Sequence, residues 1–379
     1  MVKKQFPPGT PPISFFVFLR AFAILWVFSY HAYNNCFTRN AANAALQQGV
    51  LKYLLSNISS PADYIFLPFR ILFSFGSLGV ELFIIASGFG LYYSYLTKKR
   101  ESWCSFYRKR ALRILPLYYL TLIGLVLGNI FIFKAAYYSS YEGLKVLGYH
   151  FLLLQTFSDA YLPFPFLYFI AVIFQLYLAF PLLLRVMKST PWGALLFFIS
   201  FAVSPFIKQV FEFTGLGFRG ILFTDYLPFF LLGMLIAESF YRGGKMQKIL
   251  FDKRAALASF TSLFVVIYLI SYHMDYGFGA RWLIALLFFF SIPLLFDVFN
   301  TPEAKKTVDL IAYSSYSLYL VHMFVLKISQ KLFFPGDFGR FFSISAASVL
   351  LLTSVFLSYY LQKGYDSLSK QLFLAKPVQ

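Results

Sequence analysis

The chain has 379 residues, of which 59% are hydrophobic and only 13% charged, with a mean hydropathy of +0.69. That balance excludes a soluble globular domain of this size and predicts an all-α polytopic membrane protein. A formal net charge of +18 would suit nucleic acid, but the Lys and Arg residues sit in short loops between apolar spans. They read as topology signals and lipid-headgroup contacts, and no nucleic-acid partner is expected.

Apolar segments long enough to cross a bilayer lie near residues 14–32, 72–95, 114–134, 164–184, 192–210, 221–240, 256–272, 281–299, 317–334 and 342–362. This predicts about ten transmembrane helices. A further stretch, 146–157, is too short to span and is expected to lie at the interface or to re-enter. With both termini cytoplasmic, the inner loops hold roughly twice as many Lys and Arg as the outer ones, as the positive-inside rule requires. The expectation is one membrane domain over residues 1–379, with a cytoplasmic N-terminal segment at 1–13 and a cytoplasmic tail at 364–379. Cys36 and Cys104 fall on opposite sides in this topology, so no disulfide is predicted. The first segment lacks a small-residue cleavage site and reads as a retained helix.

That first segment carries two ionisable residues, Arg20 and His31, in an otherwise apolar run. Eleven steps of about 100° fall within roughly 20° of three full turns, so both side chains share one helix face, about 16 Å apart along the axis. An arginine costs several kcal/mol in hydrocarbon, so this face should look into protein or a wet cavity. The second span opens Gly76-Ser77-Leu78-Gly79-Val80-Glu81. Glu81 is expected near the outer side, where His31 also arrives. A carboxylate there can fix the tautomer of a general base, or form a structural ion pair, or simply favour a wet helix start. Gly76, Gly79 and Gly88 are read as close-packing positions.

Before the third span, Arg110 and Arg113 share a helix face. Two guanidiniums at a membrane edge suit bidentate phosphate binding, and equally suit a topology anchor on anionic lipid. Gln175 is a lone amide in the middle of its span, placed to bond across helices or to line a cavity. In Ser315-Tyr316-Ser317-Leu318-Tyr319-Leu320-Val321-His322, residues Ser315, Tyr319 and His322 share one face. His322 is either a hydrogen-bonded structural histidine or part of the chemistry. His150 and His273 sit near loops and invite no role. No HxxxH, HExxH or cysteine cluster is present, so no metal site is expected.

Together these residues resemble the integral-membrane acyltransferase 3 family, whose members modify cell-surface glycans and other acceptors with short acyl groups. Arg20 to His31 resembles its Arg-x10-His signature. Gly79-Val80-Glu81-Leu82-Phe83 with Ser87-Gly88-Phe89 resembles its Gly-Val-Asp-Leu-Phe segment, with Glu81 in place of the commoner Asp. Arg110-Ala111-Leu112-Arg113 is similar to its Arg-x-x-Arg motif, and Tyr177 to Pro181 to the end of its Gln-Phe-Tyr-Leu…Pro block. Tyr316 to His322 is similar to its closing Ser-Tyr-Ser-Leu-Tyr-Leu-x-His motif. Two departures stand out. Many members carry Glu-Glu-Gln where this chain has Ile173-Phe174-Gln175, and many append an extracytoplasmic domain where this chain ends at Gln379.

The resemblance implies an O-acyltransferase of the cell membrane that moves an acyl group, most often acetyl, from cytoplasmic acyl-CoA to a hydroxyl of a sugar on a lipid-linked or surface glycan. His31 would remove the hydroxyl proton or accept the acyl group transiently, with Glu81 orienting it. Arg20 would meet the pantetheine arm or thioester, and Arg110 and Arg113 the phosphates, while Gln175, Tyr319 and His322 would line the cavity. No tightly bound cofactor is implied, acetyl-CoA being a donor substrate. The expected partners are acyl-CoA, a glycan acceptor and membrane lipid, with homo-oligomer formation left open. A polytopic transporter or flippase is the rival reading, and it would call for repeat symmetry and matching broken helices, neither of which the sequence displays.

Overall fold

The computed structural model describes residues 11–34, 46–58, 60–98, 101–132, 140–157, 164–187, 190–214, 221–273, 276–333 and 340–373. Among these the regular structure is helical throughout, with no strand. The helices are α1 (Pro11–Ala32), α2 (Val50–Ser56), α3 (Pro61–Ser74), α4 (Gly79–Thr97), α5 (Trp103–Phe131), α6 (Tyr141–Phe151) and α7 (Tyr168–Val186). They continue as α8 (Thr190–Phe213), α9 (Leu227–Arg242), α10 (Lys245–Leu250), α11 (Lys253–Tyr272), α12 (Phe278–Phe299), α13 (Pro302–Phe333) and α14 (Arg340–Phe373). Cys36 lies outside the described residues, and Cys104 is an exposed free thiol.

Eight helical runs among the described residues are long and apolar enough to cross a bilayer: 13–32, 63–97, 103–131, 165–186, 191–213, 253–272, 279–299 and 302–329. The other two expected segments are helical as well. The tenth, 342–362, lies within α14. The sixth, 221–240, is shortened because residues 223–225 form a separate 3₁₀ turn whose Asp225 carboxylate accepts from the Leu222 backbone N–H. That leaves α9 with 16 residues, about 24 Å at 1.5 Å per residue and short of a 30 Å hydrocarbon core. The 146–157 stretch does not form a span. It supplies the end of α6 and a 3₁₀ turn at Gln155–Phe157.

Helix starts follow capping chemistry. Ser102 and Ser140 accept N–H bonds at the heads of α5 and α6, and Asp252 does so at the head of α11. Ser60 and Asp63 close a capping box on α3.

The chain divides into two compact units, residues 84–244 and residues 6–83 with 245–379, the division falling within α4. In the second unit, Gly76 and Gly79 bring their backbone onto the Trp26 and Ala23 carbonyl oxygens of α1, where a Cβ would collide. The Trp26 indole donates to the Leu72 carbonyl at 2.7 Å and stacks on Phe288 of α12, with centroids 4.0 Å apart. Ser317 ties α13 to α14 by donating to the Ser358 carbonyl at 2.8 Å.

In the unit 84–244, α4 and α9 meet through Gly88 and Gly233. A Cβ on Gly88 would strike the Phe230 carbonyl oxygen, and one on Gly233 the Ile85 carbonyl oxygen. Small residues allow such backbone approach, and packing is the main source of helix association in lipid. Phe198, Phe206 and Phe213 of α8 are exposed, an apolar face that suits acyl chains rather than water. Gly88→Val is therefore expected to lower the melting temperature of the detergent-purified protein by several degrees, overpacking costing about 1–3 kcal/mol. Gly90→Ala, where nothing lies within 4 Å of the new methyl group, should leave the melt unchanged.

Candidate active site

The α1 helix runs without a break from Arg20 to His31, so the shared face read from their spacing is realised. Both side chains are half-buried, and His31 occupies the last turn. The imidazole of His31 packs on two rings, Tyr30 and His322, each with centroids 5.1 Å away. His322 is fully buried on α13, with Ser315 and Tyr319 buried on the same helix. Tyr319 lies 5.7 Å from His322, ring to ring.

The geometry around His322 fixes its tautomer. Its Nδ1 lies 2.7 Å from the Tyr319 carbonyl oxygen and 3.2 Å from that of Leu318. Carbonyl oxygens only accept, so Nδ1 carries the hydrogen, and in the neutral ring Nε2 is an acceptor. The neighbour expected for His31 was Glu81; the ring seated against it belongs to His322.

Glu81 is instead paired elsewhere. It stands in the first turn of α4, 1% exposed, and its Oε1 accepts a 2.6 Å bond from the Nε of Arg281 at the start of α12. Of the alternatives open from the sequence, the ion pair is the one formed. Its cause is the low polarity around Glu81, where a carboxylate is tolerated only when matched by a cation. Tyr30 and the half-buried Tyr276 lie within the electrostatic reach of Arg281, and Tyr276 within that of Glu81 also. Thus residues 6–83 and 245–379 hold Arg20, His31, Glu81, Tyr319 and His322, together with two residues that sequence reasoning missed, Arg281 and Tyr276.

A signal for Arg281 was available. It is a lone cation opening an apolar span, on the membrane side to which the expected topology also assigns Glu81 and His31. Read singly it resembles any interfacial anchor, and its partner is 200 residues away. Tyr276 gives no such signal in a chain with 28 tyrosines.

The remaining candidates belong to the unit 84–244. On α5, Arg113 is exposed and Arg110 is half-buried, its guanidinium 5.5 Å from the Phe106 ring centroid and 5.9 Å from that of Tyr177. This geometry restrains Arg110 by cation–π contact on two sides. Gln175 on α7 donates to the Thr156 hydroxyl at 2.9 Å. It therefore bonds across elements, pinning the short 155–157 turn to its span. Gln155 adds bonds to the Tyr118 hydroxyl at 3.4 Å and the Leu167 carbonyl at 3.3 Å. His150, expected near a loop, is fully buried, with the Phe164 ring 5.8 Å away and Tyr118 donating to its backbone carbonyl. Its burial follows from α6 packing inward through Gly143, Val146 and His150.

A family model described as an acyltransferase domain, acyltransferase 3, matches residues 13–363. The chain belongs to the acyltransferase 3 family. The match takes in every candidate residue above and runs through both compact units. No curated protein and no solved structure matches the chain. Membership makes this multi-pass helical protein an acyltransferase, and nearly all of the chain is acyltransferase domain.

Removing one partner of a buried pair leaves an uncompensated charge, a loss of about 3–5 kcal/mol. Arg281→Met is expected to destabilise the acyltransferase by that order in a denaturant or thermal melt. Glu81→Gln combined with Arg281→Met should lose clearly less than the two single losses added, because no charge is then stranded.

Proposed function

We propose that this acyltransferase moves an acyl group, acetyl first of all, from acyl-CoA to a hydroxyl of a sugar on a lipid-linked or surface glycan, in the cell membrane. The observation that supports the reading most is the seating of His31 against His322 within a chain that matches the acyltransferase family over residues 13–363. His31 is the one candidate base at the tip of the charged α1 face, and an acyl transfer to a hydroxyl needs such a base.

In this reading His31 takes the acceptor's hydroxyl proton as the oxygen attacks the thioester carbonyl. The new C–O bond forms, the C–S bond breaks, and the departing thiolate recovers the proton from the imidazolium, leaving free thiol and ester. His322 takes over the orienting role first given to Glu81, its own ring being fixed by the two carbonyls that hold Nδ1. Arg20 is assigned to the pantetheine arm or thioester. Arg110 and Arg113 are assigned to the donor's phosphates, a task for which guanidinium geometry is well suited. Gln175 and Tyr319 serve as supports rather than as reacting groups, since Gln175 is engaged with Thr156 and Tyr319 packs on His322.

Membranes carrying the wild-type chain, incubated with acetyl-labelled acetyl-CoA, are expected to accumulate base-labile label in a glycan or glycolipid fraction. His31→Ala, inserted at wild-type level, should reduce that label to the level of membranes lacking the protein. A wild-type rate in His31→Ala would refute the assigned base. Arg113→Ala should raise the half-saturating acetyl-CoA concentration about tenfold, the worth of one charge-assisted bond to phosphate. An unchanged value would make Arg113 an anchor on lipid.

A further inference from the structure

Two buried polar atoms beside the Glu81–Arg281 pair have no hydrogen-bond partner among the described residues: Glu81 Oε2 and Tyr276 Oη. The Glu81 side chain is 1% exposed and its other oxygen is already committed to Arg281. Leaving such atoms unmatched is costly, and native interiors rarely do so without an occupant. The two atoms lie in one polar cluster, the Tyr276 phenol being within the electrostatic reach of Arg281, Glu81 and Tyr30. The Phe75 ring, 6.1 Å from that of Tyr276, forms an apolar wall. Tyr30 packs on His31 with ring centroids 5.1 Å apart and also reaches the field of Arg281, which links this cluster to the assigned base.

The two free atoms are complementary in kind. A carboxylate oxygen only accepts, and a phenol supplies one O–H to donate. Burial pushes the Tyr276 pKa up to about 12, so the phenol keeps its hydrogen at neutral pH. The group that satisfies both is one that donates and accepts at once, a hydroxyl. A thioester carbonyl or a phosphate offers acceptors alone and would face the Glu81 carboxylate with nothing to give it. An ammonium would satisfy Glu81 but offer the phenol O–H no acceptor.

We propose that Glu81 Oε2 and Tyr276 Oη form the seat of the acceptor's hydroxyl, with Arg281 holding the carboxylate in place from behind. The seat selects an alcohol over either end of the acyl donor. It rests on the acyl-transfer reading above, and it assigns to Arg281 a positioning role and to Tyr276 a direct contact with the acceptor.

The test uses the full-length protein in nanodiscs with labelled acetyl-CoA and methyl β-D-glucoside as the probe acceptor over a concentration series. Tyr276→Phe keeps the ring against Phe75 and removes only the donor hydroxyl. It is expected to raise the half-saturating glucoside concentration tenfold or more while leaving that for acetyl-CoA within twofold. Arg281→Lys, which retains charge but not the fixed Nε geometry, should move the glucoside value in the same direction. If Tyr276→Phe leaves the glucoside value unchanged, or shifts the donor value equally, the seat is refuted. It is also refuted if the wild type transfers label to membrane glycan in a His31-dependent manner but never responds to glucoside, water being then the sole occupant. Absence of any His31-dependent donor consumption would instead overturn the acyl-transfer assignment itself.

Discussion

A carboxylate carried 99% out of solvent has to be matched by a cation, and in this acyltransferase the match between Glu81 and Arg281 sets the terms for everything around it. The pair joins the first turn of α4 to the first turn of α12. The glycines just before and at that turn, Gly76 and Gly79, draw the same backbone onto α1 near Trp26 and Ala23. Trp26 in turn stacks on Phe288 of α12. Three helices are thereby fixed against one another at the end where α1 delivers His31. Such a pair does not have to add net stability over an apolar replacement. What it supplies is a fixed polar site inside an apolar unit, and polar groups at membrane depth are retained where function needs them.

The residues around it divide the chemical work. His322, its Nδ1 held by two carbonyls of its own helix, presents a ring of defined tautomer to His31. Glu81 and Arg281 stand beside Tyr276 and Tyr30, and the latter packs on His31. In the unit 84–244 polar bonds do a different task. Gln175 to Thr156, Gln155 to Tyr118 and Tyr118 to the His150 carbonyl hold a chain segment that is too short to span. Leu153, at φ 58°, lies within that segment, where the chain turns out of α6 toward the 155–157 turn.

Features governed by local periodicity and solvent preference were legible from the residues alone. The helical class, the shared face of Arg20 and His31, the packing glycines and the failure of 146–157 to span all follow from spacing, composition and length. The sixth span was overdrawn, because hydropathy cannot see that Asp225 closes a separate turn before α9 begins. The partner of Glu81 was not legible. Arg281 is 200 positions away and looks like an interfacial anchor, and His31 offered a plausible nearer partner. His322 was read as a cavity residue, and only three-dimensional packing puts its ring on that of His31. Long-range pairing in helical bundles is decided by which faces meet, and a single sequence carries no record of that choice.

The most direct test of the account is reversal of the pair followed by an acyl-transfer assay. Glu81→Arg and Arg281→Glu are each expected to abolish label transfer from acetyl-CoA in membranes, since like charges would then be buried together. The double reversal should restore the thermal stability that either single change loses but not transfer, since no carboxylate then stands at position 81 to meet the acceptor's hydroxyl. Single reversals that transfer label as fast as the wild type would contradict the claim that the acyltransferase site is built on this pair.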